Sequence, residues 1–242
     1  MRVYRSAPPG YAQGMANVLC LDFDDTIVLD NISDALMARF AAEDWSHLKD
    51  AYRRGEMSVE QFNAAVFDLI DTRVTYDDMR AFVRERARVR PGFLELLDWA
   101  HWNDWQAVIV SNGFDFAIDE VLSGLGVDRV MRHSGKTRFD YRWRVRYLSP
   151  RGIEVQEGFK LGYANAFKRA GDFVVYFGDG ASDVDAARLA RVVFARDTLW
   201  ERLKDEHERI YEFETFHDAI DVLQREAPGW LESFSSTTAA AD

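Results

Sequence analysis

Four short apolar runs punctuate the chain, at 18–23, 107–110, 173–177 and 192–195. They are rich in β-branched and aromatic residues and carry little polar relief, which predicts buried strands. Between them the apolar period lengthens to that of a helix. Pro91 and Gly92 open a stretch with Phe93, Leu96, Leu97 and Ala100 on one face. Residues 115–125 give a second helical stretch, and Leu161, Ala164, Phe167 and Ala170 mark a third. Strands alternating with helices predict an α/β fold on a mainly parallel sheet.

Two stretches break that rhythm. Residues 31–89 contain helical patterns and no convincing strand. Within them, Ser58 and Gln61 form a capping box ahead of Val59, Phe62, Val66 and Leu69, and Thr75 is placed to cap the next helix. This predicts a helical insertion after the first strand. The second break is FDYRWRVRYL, residues 139–148, where Trp143, Val145 and Tyr147 alternate with Arg142, Arg144 and Arg146. That alternation predicts one strand with a wet face, and the arginines are expected simply to be solvated. The expected organisation is a loose arm over 1–16, a core of 17–30 and 90–234, the insertion 31–89, and a frayed Ser/Thr/Ala-rich tail over 235–242. Trp45, Trp99, Trp102 and Trp105 are expected to pack, as large aromatics do.

Composition narrows the class. Hydrophobic residues make up 48% of the 242 and charged residues 29%, a globular balance with ample core. The net charge of −11 opposes general binding to nucleic acid or to anionic membrane. The single cysteine, Cys20, sits in an apolar run and is expected to pack as a small hydrophobe. No apolar run nears the roughly 18 residues of a membrane span, and the first residues lack the apolar centre of a signal peptide. A cytoplasmic protein is expected. Sequence offers no argument on oligomeric state, and a homodimer stays open.

The chemistry begins at LDFDDT, residues 21–26, where acids end a buried run. Alternate strand residues share a face, so Asp22 and Asp24 point together at the strand's carboxyl end, where open α/β sheets bind ligands. Two carboxylates so close call for a cation, and Mg²⁺ suits oxygen ligands; an Asp-rich turn explains the stretch equally well. Ser111, with Asn112 and Gly113, lies between the second strand and a helix, where a phosphate oxygen would meet a hydroxyl and backbone N–H groups. An N-cap turn is the ordinary explanation. Lys160 opens a helix against its dipole, which suggests a task such as neutralising phosphate, although a solvated lysine is commoner. Asp179 and Asp183, four apart in GDGASD, would meet on one helical turn. Two acidic clusters at two strand ends, with a serine and a lysine between them, are hard to explain as four unrelated turns.

In this order and at these intervals, the four motifs resemble those of the haloacid dehalogenase superfamily, and the insertion resembles the C1 cap of its phosphoserine-phosphatase-like branch. Residues 30–58, VSNGFDF and VVFARDTLWERLK further resemble the 2-hydroxy-3-keto-5-methylthiopentenyl-1-phosphate phosphatase group of methionine salvage. The resemblance implies a Rossmann-like core with a helical cap and a phosphomonoesterase acting on a small phosphorylated metabolite. It implies Asp22 as nucleophile, Asp24 as acid and then base, and Ser111, Asn112, Gly113 and Lys160 as phosphate binders. It implies Mg²⁺ held by Asp22, the Asp24 carbonyl and Asp179, with Asp183 as ligand or behind them. Asp25 departs from the family's usual small residue, and its side chain is expected to point away from the metal. Asn31 stands where phosphoserine phosphatases carry the glutamate that meets the ammonium, which disfavours phosphoserine, with Asp30 beside it as the alternative partner. Arg53, Arg54 and Glu56 are candidate substrate contacts from the cap, weighed against a solvated turn. A phosphotransferase, or a silent binding protein of the same fold, are the alternatives.

Overall fold

The structure is a computed structural model that describes residues 15–127 and 130–239. In chain order the elements are β1 (Asn17–Leu21), α1 (Ile32–Phe40), α2 (Ser46–Arg53), α3 (Val59–Phe67), α4 (Tyr76–Arg86), α5 (Phe93–Trp102), β2 (Trp105–Phe114) and α6 (Asp115–Gly124). There follow β3 (Met131–Asp140), β4 (Arg142–Leu148), β5 (Glu154–Val155), α7 (Phe159–Ala170), β6 (Phe173–Gly178) and α8 (Val184–Ala187). The chain ends with β7 (Val192–Ala195), α9 (Asp197–Leu203), β8 (Ile210–Glu212) and α10 (Phe216–Ala239).

The strands form one sheet in the order β5-β4-β3-β2-β1-β6-β7-β8. Strands β3, β2, β1, β6, β7 and β8 run parallel, while β4 and β5 add antiparallel pairs at one edge. The chain moves from β1 to one side through β2 and β3, then returns to the other side through β6, β7 and β8. This reversal beside β1 is a topological switch point, where the carboxyl ends of neighbouring strands leave a crevice. Leu21 pairs with both Ile109 and Phe177; β1 stops there while β2 runs on to Phe114 and β6 to Gly178, so Asp22 and Asp24 emerge between the ends of its neighbours. The central strands are apolar because both faces are covered: β6 and β7 are buried at every position.

Helices α1 to α4 all fall between β1 and α5, as the helical insertion requires. The insertion leaves and rejoins the sheet layer side by side, through an antiparallel bridge between Val28 and Val89. Both expected caps are present. Ser58 and Gln61 close the capping box of α3, and Thr75 with Asp78 closes that of α4. Strand β4 has the expected wet face, with Arg142, Arg144 and Arg146 exposed, and from that face Arg142 and Arg144 also reach Asp68, at the end of α3, at 3.1 Å and 3.2 Å.

Several expectations need correction. Residues 139–148 are not one strand. Phe139 and Asp140 finish β3, the chain reverses at Tyr141 (φ +58°), and β4 starts at Arg142. Strand β3, MRHSGKTRFD, has no apolar alternation because its order comes from pairing with β2 on one side and β4 on the other. Trp45, Trp99 and Trp105 pack against aromatic neighbours, but Trp102 is 79% exposed. Of the tail expected to fray over 235–242, residues 235–239 continue α10, with the Ser236 hydroxyl bonding the carbonyl four residues back, and the last three residues lie outside the described residues. The arm expected over 1–16 lies, apart from its last two residues, outside the described residues. No helix among the described residues is long and apolar enough to cross a membrane.

Candidate active site

Asp22 extends β1 by one residue, its backbone N–H bonding the Phe177 carbonyl at 2.9 Å. Phe23 turns into the core, and Asp22 and Asp24 line one cavity of about 190 Å³. The chain then reverses at Asp25, whose φ of +56° lies in the left-handed region. Glycine suits that conformation, and Asp is among the few side chains that tolerate it, so the departure from the family's small residue is sterically accommodated. The Asp25 carboxylate accepts from Asn31 Nδ2 at 2.9 Å. Buried Arg90 braces this turn, donating to the carbonyls of Thr26 (2.7 Å), Asp25 (2.6 Å) and Glu214 (2.8 Å).

Lys160 is 3% exposed in the first turn of α7. Its ammonium lies 2.9 Å from Asp22 Oδ2, 2.7 Å from Asp183 Oδ1 and 3.3 Å from the Ser182 hydroxyl. Burial works against its charge, yet Asp183 and Asp22 outweigh it and hold the group protonated above the ordinary lysine value. The sequence conflict with the helix dipole is thus resolved by two carboxylates. Asp183 is fully buried and accepts from four donors: Lys160, the Tyr176 hydroxyl (2.6 Å), and the N–H groups of Asp179 (3.3 Å) and Gly180 (2.9 Å). A Cβ on Gly178 would come within 2.7 Å of the Asp183 carboxyl carbon, so only glycine lets that carboxylate nest there.

Ser111 and Asn112, expected after the second strand, lie within the last residues of β2, which continues to Phe114, beside the acids. Ser111 Oγ accepts from the Gly113 N–H at 3.0 Å, and a Cβ on Gly113 would stand 3.0 Å from Asp24 Oδ2. Asn112 is held by the insertion and by β4. Its side chain donates to Glu60 at 3.2 Å, and its carbonyl accepts from Asn63 at 2.9 Å and from the Tyr147 hydroxyl at 2.5 Å.

Asp22, Asp179 and Asp183 place an oxygen each within 4.8 Å of one another. Burial pushes Asp22 up to about 6 against the pull of Lys160. Burial, then the charges of Asp183 and Asp22, push Asp179 up to about 9. Burial also raises Asp24 to about 7, against the hydrogen bond from Ser33. Asp22 Oδ1 is buried without a hydrogen-bond partner among the described residues. A buried carboxylate oxygen with no donor, beside a second acid, fits an all-oxygen site for a hard divalent cation.

Of the expected site residues, the structure brings Asp22, Asp24, Ser111, Asn112, Gly113, Lys160 and Asp179 around one cavity, with Asp183 directly behind. The cap candidates divide. Asn31 lines the cavity but serves as N-cap of α1, accepting from Asp34 N–H at 2.8 Å. Asp30 pairs with Arg86 and Arg88 outside the lining. Arg53 pairs with Asp50, and Arg54 with Glu56, on exposed surface away from it. The insertion's contribution comes instead from Ser33, Asp34, Lys49, Tyr52, Val59, Phe62 and Asn63, none of which sequence singled out for the site. Thr26, which donates to Asp179 at 3.0 Å, was likewise missed although it belongs to the first motif.

An α/β sheet that gathers a buried lysine and four acids at its switch point has the layout of a ligand-binding crevice at strand ends. The chain belongs to the haloacid dehalogenase-like hydrolase family, whose model it matches over residues 19–188. The 2-hydroxy-3-keto-5-methylthiopentenyl-1-phosphate phosphatase of Bacillus thuringiensis subsp. konkukian (strain 97-27) is 30% identical over 211 residues, 86% of this chain and 95% of that one. Its namesake from Bacillus cytotoxicus (strain DSM 22905 / CIP 110041 / 391-98 / NVH 391-98) is 30% identical over 207 residues, 84% and 94% of the two chains. Among solved structures, a phosphoserine phosphatase with an analogue of its phospho-aspartyl intermediate superposes with a TM-score of 0.64, at 19% identity over 86% of this chain and 99% of that one. A substrate-bound phosphoserine phosphatase complex gives 0.64 at 17% identity, over 86% and 98%. At such identities these two likenesses establish the fold.

Proposed function

We propose that this chain is a Mg²⁺-dependent phosphomonoesterase that hydrolyses a small phosphorylated metabolite through an aspartyl-phosphate on Asp22. The observation that carries the reading is the Asp22 carboxylate itself, with one oxygen held 2.9 Å from Lys160 and the other buried without a donor. Such a group is oriented but not used up by the fold.

In the first half-reaction an Asp22 oxygen attacks phosphorus, the ester P–O bond breaks, and Asp24 gives its proton to the departing oxygen, releasing the alcohol. In the second, Asp24, now a carboxylate, takes a proton from water. The resulting hydroxide attacks phosphorus, the bond to Asp22 breaks, and phosphate leaves. Ser111, Gly113 N–H and Lys160 grip the phosphoryl oxygens, whose charge must be neutralised throughout. Asp22, the Asp24 carbonyl and Asp179 would hold Mg²⁺, which supplies that neutralisation when bound. Asp183, with both oxygens committed to four donors, suits the role of bracing Lys160 and the Asp179 turn. The insertion, residues 31–89, acts as the cap that closes the cavity and excludes water.

The wall opposite the acids supports a leaving group without an ammonium. Its acid Asp34 pairs with Lys49 at 2.7 Å, and Asp30, outside the lining, pairs with two arginines. Val59, Phe62 and Tyr52 add apolar surface. This favours a substrate like that named for the Bacillus relatives over phosphoserine. The test is phosphate release from a panel of small phosphomonoesters, with Mg²⁺ and with EDTA, for the wild type and Asp22→Asn. Release that needs Mg²⁺ and vanishes in the variant supports the reading. No release from any ester, or release that survives Asp22→Asn, overturns it.

A further inference from the structure

The carboxyl assigned the proton transfers does not stand free in the cavity. Asp24 Oδ1 accepts from the Ile32 backbone N–H at 2.8 Å, and Oδ2 from the Ser33 hydroxyl at 2.7 Å. Both donors belong to the first turn of α1, the opening element of the insertion. Ser33 is itself buried and lines the cavity beside Asp22 and Asp24. On the far side Gly113 closes the space: a Cβ there would lie 3.0 Å from Asp24 Oδ2 and 3.3 Å from Ser33 Oγ. The carboxyl is thus held between the insertion and the turn that carries Ser111.

We propose that Ser33 is a positioning residue that aims the Asp24 carboxyl at the leaving-group oxygen, so that the acid is presented only when the first turn of the insertion is in place. The inference rests on the reading of Asp24 as acid and base. Its physical ground is geometric. A proton donor has to come within about 2.6–3.2 Å of its acceptor, and an unrestrained aspartate samples several rotamers. One donor on each oxygen fixes the plane of the carboxyl. Both donors can stay in place when Asp24 is the acid, because a protonated carboxyl oxygen keeps a lone pair that still accepts from the Ser33 hydroxyl, and the proton itself is left for the departing oxygen. Ser33 therefore keeps its bond to Asp24 in both protonation states that the two half-reactions require. A serine that merely belongs to a helix's first turn would matter for stability alone.

The two roles separate by leaving group. An alkyl phosphate needs its departing oxygen protonated, while p-nitrophenyl phosphate releases a stable anion and does not. kcat/KM reports the steps up to transfer of phosphate to Asp22, so it isolates the acid's contribution. General acid catalysis contributes about 10²–10⁴-fold, and loss of aim should forfeit a good part of it. The experiment measures kcat/KM for both esters with wild type, Asp24→Asn, Ser33→Ala and Ser33→Thr. Ser33→Ala is expected to lose about tenfold or more on the alkyl ester, from the general-acid share, and under about twofold on the aryl ester, with the hydroxyl of Ser33→Thr restoring the alkyl rate. Equal losses on both esters, or no loss on either, overturn the proposal. If Asp24→Asn is selective and Ser33→Ala is not, this inference fails and the phosphatase reading stands. If Asp24→Asn itself loses both esters equally, the acid role fails and takes this inference with it.

Discussion

Asp183 is the most heavily bonded acid of the site, and replacing it by asparagine tests whether those bonds hold the site together. The carboxylate is fully buried and accepts from Lys160, Tyr176 and two backbone N–H groups. Asparagine offers one acceptor and one NH₂, so at least one of the donors around it would face another donor. Lys160 would keep Asp22 as its one carboxylate partner within 4 Å among the described residues. Removing one partner of a buried ion pair costs about 3–5 kcal/mol. At about 2–4 °C per kcal/mol for a chain of this size, the melting temperature should fall by roughly 6–20 °C. Asp185→Asn is the control, since its side chain is 72% exposed and pairs with Arg188 on the surface, where a salt bridge is worth about 0–1 kcal/mol. Melting is followed by circular dichroism in EDTA, which keeps ion binding out of the comparison. An Asp183→Asn protein that melts with the control would refute the argument that this carboxylate organises the site.

Other outcomes follow from groups away from the chemistry. Burial, with the charge of Lys136 adding, pushes His133 from its ordinary 6.5 down to about 4. The unfolded chain then binds more protons between those values, so stability is full above about pH 6.5 and falls as pH drops towards 4. His133→Phe, which keeps the ring stacked on Tyr163, should flatten that acid-side slope in urea titrations; an unchanged slope contradicts the assignment. Burial raises the Cys20 thiol, so iodoacetamide should label the unfolded protein and spare the native one, as read by mass spectrometry. Lys49→Met should raise KM for the best ester by about tenfold, whereas Arg54→Ala and Glu56→Ala, on exposed surface outside the cavity, should stay within about twofold. Equal effects from all three would mean that the cavity wall has been misplaced.

The motif residues were legible because each breaks a local rule in plain view. Asp22 and Asp24 end a buried strand, Lys160 opposes a helix dipole, and Asp179 and Asp183 crowd one turn. The helical insertion was legible from Ser58, Gln61 and Thr75, whose caps need only near neighbours. What sequence missed depends on distant partners. Arg90 reads as an ordinary arginine until its guanidinium is found on the Thr26 and Asp25 carbonyls. Strand β3 has no apolar period of its own, and Trp102 resembles its buried neighbours in every local respect. Arg53, Arg54 and Glu56 lie at the turn from α2 to α3 and are paired on exposed surface, while the cavity is lined by residues of α1, α2 and α3 whose inward placement depends on packing between helices.

The central claim, a phosphoryl group carried covalently by Asp22, is tested most directly by borohydride trapping during turnover. Borohydride reduces an acyl phosphate to the alcohol and leaves a free carboxylate untouched. Peptide mass spectrometry should then find homoserine at position 22, only when both ester and Mg²⁺ are present. Turnover that continues with Asp22 unreduced, or with the reduction at another carboxylate, would contradict the account.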